Sequence, residues 1–258
     1  MGQAGIQEIA PGVKVDGWTF NGTIPGPVLH IRQGDRVHST FINQLPTPHT
    51  HDYHAAMTPA DVNFRDIVTG DSLSFEWVAE YPGAYMYHCV TEPPLIHVAQ
   101  GLYGIMIVEP EGGYSPVDRE FVLVASEFYL RDRGDGIMTT DPVKAQSQEP
   151  DYVVFNGRAR QYEQQPLKAK AGDRVRFHVV NAGPNHELAF HLVGGMIDRA
   201  YVGGNPKNVL YGLQTIGIPP GDGAVVETTF SHPGRYVFVT HRFADEGKGA
   251  IGVVEVAP

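Results

Sequence analysis

The stretch YPGAYMYHC, residues 81–89, returns near the far end of the chain as HPGRYVFVTH, residues 232–241. Each copy opens on a Pro-Gly turn and runs through alternating aromatic and apolar residues as a strand to a histidine near its end, His88 or His241. Working outward, the match continues. FNG at 20–22 recurs at 155–157, and QGDRVHSTFINQ at 33–44 is echoed by AGDRVRFHVVNAG at 171–183, with GDRV at 34–37 and again at 172–175. In both halves a strand-turn-strand hairpin precedes a histidine-bearing segment, and that segment precedes the PGxY strand. A repeat on this scale implies two copies of one β-sandwich. The expected fold is all-β, with tandem Greek-key sandwiches over residues 1–112 and 117–258. The Pro/Gly-rich PEGGYSP at 110–116 connects them.

Composition agrees. The chain has 258 residues, enough for two domains with their own cores. Its 30 glycines and 20 prolines suit many short strands joined by turns. A formal charge of −10, with no Lys/Arg cluster, argues against a nucleic-acid partner. No apolar run approaches the roughly 20 residues of a membrane span. The single cysteine excludes an internal disulfide. The opening MGQAGIQEIAPG has neither a basic nor an apolar leader region. Either the protein is cytoplasmic or the sequence begins at the mature end of an exported chain.

Strands are expected at 13–20, at 28–44 as two alternating runs about Gly34-Asp35, and at 72–80, 84–89, 103–109 and 120–130. Residues 131–150 carry no period and read as a long surface loop. Short helical turns are expected only around 96–102 and 243–248.

Twelve histidines are the number to explain. A lone cysteine is commonly just a buried thiol. Here Cys89 follows His88 directly, and His97 lies eight residues on. A thiolate with two imidazoles is the ligand set of a mononuclear copper site, whereas zinc would want a fourth strong ligand. His49, in the proline-bounded PTPHTHDYHAAM (46–57), is the best second imidazole. Adjacent strand residues face opposite ways. If Cys89 points into its sandwich, His88 points out, where His54 can join it. His241, ending the matching strand of the second half, is the natural third ligand from another domain. Three histidines with an open position describe a catalytic metal, and the His88–Cys89 peptide would be the shortest electron path between the two. Asp52 and His191 are candidates for proton delivery there. Their ordinary alternatives are a loop-capping aspartate and a packed core histidine. His51 lines the site and His186 is a loop residue. His30, His38, His178 and His232 read as structural.

These motifs resemble copper-containing nitrite reductases and, more broadly, two-domain multicopper oxidases of cupredoxin fold, over nearly the whole chain. HTHDYHAA resembles the family's His-x-x-Asp-x-His-Ala-Ala segment, which implies type-1 copper at His49 and a type-2 site at Asp52 and His54. YHCVTEPPLIHVAQGLYG is similar to the block that gives a type-2 ligand, His88, and the type-1 ligands Cys89 and His97. FHLVGG resembles the segment of the catalytic histidine, His191, with apolar Val193 over the metal. FVTHRF resembles the source of the last type-2 ligand, His241, which the family draws from a neighbouring subunit. The resemblance therefore implies a homotrimer with one type-1 and one type-2 copper per chain, a periplasmic or extracellular setting, and a small redox protein as electron donor. One position departs. Leu102 stands where the family's axial methionine falls, which implies a nearly three-coordinate type-1 copper of raised potential and a weaker onward drive to nitrite.

The expected reaction is one-electron reduction of nitrite to nitric oxide. A laccase-like oxidase reducing dioxygen would need paired His-x-His motifs. Here Val90, Asp52, Val193 and Phe243 break them, leaving only His49-x-His51. A copper carrier or electron-transfer protein would need only the Cys89 site.

Overall fold

Both GDRV segments make the same turn. Gly34 and Gly172 adopt φ of 93° and 89°, left-handed values that glycine reaches without steric cost. The carboxylates of Asp35 and Asp173 accept the N–H of Arg32 and Lys170, each at 2.8 Å. The turns are not hairpins, contrary to the sequence expectation. Leu29–Arg32 pairs with Tyr103–Glu109, while Arg36–Ile42 pairs with Ser72–Val78 in another sheet. Likewise Leu167–Lys170 pairs with Ile251–Ala257, and Arg174–Gly183 lies in the opposite sheet. Each GDRV turn is a corner where the chain changes sheets, which is how a sandwich closes.

The computed structural model describes residues 1–258. In the first half, Leu29–Arg32, Tyr103–Glu109, Gly83–His88 and Asp52–Tyr53 form one sheet in that order. The pair Arg36–Ile42 and Ser72–Val78 lies across the core from it. In the second half, a six-stranded sheet built on Arg119–Phe128, Arg174–Gly183 and Gly223–Thr229 faces a five-stranded one built on Leu188–Val193 and Gly234–Thr240. Between them lies a core of 22 buried residues, including Phe155, Phe177, Phe190 and Phe238. This is the two-domain cupredoxin arrangement.

The strand Gly83–His88 is buried on both faces. Tyr87 and the adjoining Cys89 enter the first sandwich's core, with Phe41, Trp77, Leu102 and Met106. Ala84 and Met86 enter a separate cluster that joins the halves, packing with Ile105 and Ile107 against Val124, Val180 and Val225. Each large apolar side chain so buried is worth roughly 1.5–3 kcal/mol, so this seam fixes one half upon the other. Ala84 N–H also donates to Gly203 O at 3.0 Å across the seam.

Residues 131–150 are not an irregular loop. Leu130–Asp132 and Met138–Thr140 form a small ladder that joins Gly2–Ala10 and Val13–Phe20 of the first half. Helix Pro142–Ser147 follows, its N-cap Asp141 accepting N–H from Val143 and Lys144 at 2.9 and 3.2 Å. Three-residue strands are too short to show a period. The helical turns expected near 96–102 and 243–248 are Pro94–Ala99 and Phe243–Glu246. No helix is long and apolar enough to cross a membrane.

Candidate metal centres

One buried asparagine prepares the first centre. The Asn43 amide donates to the carbonyls of Thr47 and Ile67, both at 2.8 Å, and its oxygen accepts Leu45 N–H at 2.9 Å. This holds the Pro-rich segment against the sandwich. His49 exchanges backbone hydrogen bonds with Ile67 at 3.1 and 2.9 Å, and its Nε2 is engaged by the Thr47 hydroxyl at 3.0 Å. Its Nδ1 is the nitrogen that faces Cys89. His97 comes from the last turn of Pro94–Ala99. The three donors converge: Cys89 Sγ lies 3.2 Å from His97 Nδ1 and 3.6 Å from His49 Nδ1, and the two nitrogens are 3.0 Å apart. All three residues are buried. Trp18 packs edge-on against both imidazoles, with centroids at 4.6 and 5.0 Å.

The environment favours uncharged groups. Burial pushes the Cys89 thiol up, opposed by the Thr50 N–H at 3.5 Å. Burial, then the neighbouring His97, lowers His49 to about 4. Burial also lowers His97. Neutral imidazoles are ready ligands, and the thiol must lose its proton to the incoming ion. A buried thiolate with two imidazoles suits a soft-tolerant transition metal. Leu102 lies across from Cys89, its carbonyl accepting Cys89 N–H at 3.1 Å and its own N–H donating to His97 O at 3.1 Å. It is fully buried and brings no donor atom.

The second set uses the opposite face of the same strand end. Asp52 pairs with His88 across the ladder, and His54, two residues on, shares its side. His54 Nδ1 is hydrogen-bonded to Gly221 O and His88 Nδ1 to Cys89 O, both at 2.9 Å. Both Nδ1 atoms therefore carry the proton. The two Nε2 atoms, turned away from these carbonyl anchors, face each other at 3.0 Å, a geometry that a shared cation fits. Such carbonyl-anchored imidazoles are how metal-binding histidines are oriented. Burial, then His54, lowers His88 to about 4. Burial raises Asp52, against the pull of His54.

His191 and His241 join neither set within one chain. They lie together on the second half, ring centroids 5.1 Å apart. His191 Nδ1 is bound to Gln214 O at 2.7 Å, leaving Nε2 free. His241 is exposed, beside Phe243 at 4.6 Å between centroids. The second half of the same chain reaches His54 through the Gly221 carbonyl, not through an imidazole. The sequence reading missed Gly221, Trp18 and Asn43. Only Gly221 had a local signal, the Pro-Pro-Gly-Asp turn at 219–222. Four of the remaining histidines pair with carboxylates: His30 with Glu109 at 3.0 Å, His38 with Glu76 at 3.6 Å, His178 with Glu120 at 3.3 Å and His186 with Asp245 at 3.0 Å.

Paired cupredoxin sandwiches with two converging ligand sets define the class of protein. Models of the multicopper oxidase family match residues 3–113 and 119–254, and the chain belongs to that family. It is 38% identical over 254 residues to a copper-containing nitrite reductase of Neisseria gonorrhoeae, covering 95% of this chain and 64% of the relative. A copper-containing nitrite reductase of Cereibacter sphaeroides is 31% identical over 263 residues, with 92% and 70% covered. The solved structure of a copper nitrite reductase from Nitrosomonas europaea superposes with a TM-score of 0.93 at 34% identity, covering 99% of this chain and 92% of that one. The chain thus spans about 64% of the length of the Neisseria relative.

Proposed function

We propose that this chain is a copper-dependent oxidoreductase that reduces nitrite to nitric oxide, with residues 1–112 carrying the type-1 centre and residues 117–258 the completing histidines. The observation that carries the reading is the pair of facing Nε2 atoms of His54 and His88 at 3.0 Å, beside Asp52 and one peptide bond from Cys89. Copper held by His49, Cys89 and His97 would supply one-electron exchange with a small redox-protein donor, and copper held by His54, His88 and a neighbouring subunit's His241 would supply Lewis acidity and the electron for nitrite.

The protein's own part is positioning and proton supply. Gly221 and the Cys89 carbonyl hold two imidazoles in one tautomer. Reduction of nitrite by one electron consumes two protons and releases nitric oxide and water. Asp52, whose burial favours the protonated carboxyl, delivers one proton at the Oδ atom nearest His54. His191, anchored through Nδ1, delivers the other from Nε2. The adjacency of His88 and Cys89 gives a short covalent path between the centres.

The division of the second set calls for an assembly of several copies, and the homotrimer of the family reading provides one. His191 lies with exposed Val193, two residues on along its strand, and His241 with exposed Phe243, at 48 and 67% exposure, and apolar patches of this kind mark contact surfaces. A periplasmic or extracellular setting belongs to this reading. Dioxygen reduction at a trinuclear cluster calls for paired His-x-His donors, and Val90, Asp52, Val193 and Phe243 stand at those positions. A carrier would not need the second group.

Metal analysis of the purified protein should give two coppers per chain; four would favour the oxidase and one the carrier. A fully loaded protein that makes no nitric oxide from nitrite with an artificial donor would overturn the proposal.

A further inference from the structure

Among the unpartnered buried polar groups of the first half, at Thr50, His51 and Thr58, only His51 lacks a partner at two atoms. His51 is 2% exposed, and neither Nδ1 nor Nε2 reaches a hydrogen-bonding atom. Buried polar groups are nearly always satisfied, so an exception calls for an occupant beside it. His51 belongs to neither ligand set. Its ring is enclosed by Tyr53, Phe41 and Phe75, at centroid distances of 4.6, 5.0 and 5.8 Å.

A cleft of about 280 Å³ runs past this imidazole. It lies between Leu29–Arg32 and Arg36–Ile42, the two strands that the GDRV corner sends into different sheets. His51, Tyr87 and Met106 form its buried end, and half-exposed Leu29, Ile31 and Val37 form its mouth. Nine of its fifteen lining residues are apolar and none is Lys, Arg, Asp or Glu; the one charge at its rim, the Met1 ammonium, is engaged by Asn21 Oδ1 at 2.7 Å, so the lining favours a neutral ligand. A cavity of about 150 Å³ holds benzene, so this cleft has room for one ring with a substituent. The other polar groups near its buried end are already engaged: Tyr87 donates to Pro27 O at 2.7 Å, and Ser39 accepts from Trp77 Nε1 at 2.9 Å. A neutral imidazole offers one donor and one acceptor, the complement of a hydroxyl.

We propose that this cleft is a binding site for a small neutral aromatic molecule bearing one hydroxyl, the ring lying among Phe41, Tyr87 and Met106 and the hydroxyl on His51. The site is independent of the copper reading, and each can fail without the other.

The test is calorimetry on the copper-loaded full chain, under nitrogen, with phenol and with benzene as probes. Phenol should bind once per chain, and at least about tenfold more weakly to His51→Phe, the loss expected of one hydrogen bond. Benzene should bind the unaltered protein more weakly than phenol. A crystal of the unaltered protein grown with phenol should show the phenol oxygen within hydrogen-bond distance of a His51 nitrogen, which keeps the test decisive if the variant does not fold. Ordered water alone on both nitrogens, no saturable phenol binding, or equal binding by His51→Phe would overturn the proposal.

Discussion

Cys89 and Thr240 occupy the same place in the two copies of one strand, counted from Pro82-Gly83 and Pro233-Gly234. Both are buried, at 0 and 1% exposure. Both follow a buried asparagine that pins a loop. Asn181 donates to the carbonyls of His186 and Ile218 at 2.8 and 2.9 Å and accepts Gly183 N–H at 3.0 Å, as Asn43 does with Thr47, Ile67 and Leu45. The outcomes differ. Cys89 Sγ meets two imidazoles, whereas Thr240 Oγ1 accepts only the N–H groups of Ala189 and Arg242, at 3.4 and 3.5 Å. The scaffold is therefore indifferent to metal, and a few donor positions decide whether a copy holds one. The first copy closes a centre on itself. The second holds His191 and His241 apart from both ligand sets, where on the proposed reading another chain uses them.

The sharpest way to break this comparison is to remove the outward imidazole. His241→Ala should cost more than about 100-fold in nitrite turnover, since a metal that acts as Lewis acid supplies several kcal/mol. The visible colour of the Cys89 centre should remain. Loss of both centres together would show that the copies are not divided as described.

Asp52→Asn keeps the shape and removes the proton. Turnover should fall about 100-fold, within the usual range for a general acid, with both coppers retained by metal analysis. Unchanged turnover would return Asp52 to a loop-capping role.

The two asparagines give a matched pair. Asn43→Ala and Asn181→Ala should each lower stability by about 2–4 kcal/mol, the cost of stranding several buried partners, as read by chemical denaturation. Only Asn43→Ala should also alter the visible spectrum, because only its loop ends in His49. Equal spectral effects would contradict the division.

The smallest effect is expected at Leu102. Leu102→Met places a thioether across from Cys89, and the potential of that centre should fall while its visible bands shift. An unchanged potential would mean that this position does not face the metal.

Much of this was legible in the residues. The GDRV, FNG and PGxY repeats carry the sandwich because turn chemistry is local. Strand alternation alone sends His88 and Cys89 to opposite centres. What the residues hid was relational. The GDRV turns read as hairpins, because a corner and a hairpin use the same Gly-Asp chemistry and differ only in distant pairing. The arm at 131–150 hid because its strands have three residues each. Gly221 and Trp18 act through a carbonyl and a ring edge, contacts that leave no pattern in sequence. His51 read as a residue lining the metal site, and nothing in its neighbours foretold that both its nitrogens would be unpaired.

The central claim is that the second centre forms between copies of this chain. The direct measurement is complementation between His88→Ala and His241→Ala, each inactive alone, co-expressed with different tags and purified through both. In a mixed ring of three, about one interface in three joins an intact His54–His88 pair to an intact His241. The account predicts that the mixed assembly regains nitrite turnover and the copper signal of the second centre at about that fraction. A verified mixed assembly as inactive as either parent would contradict it.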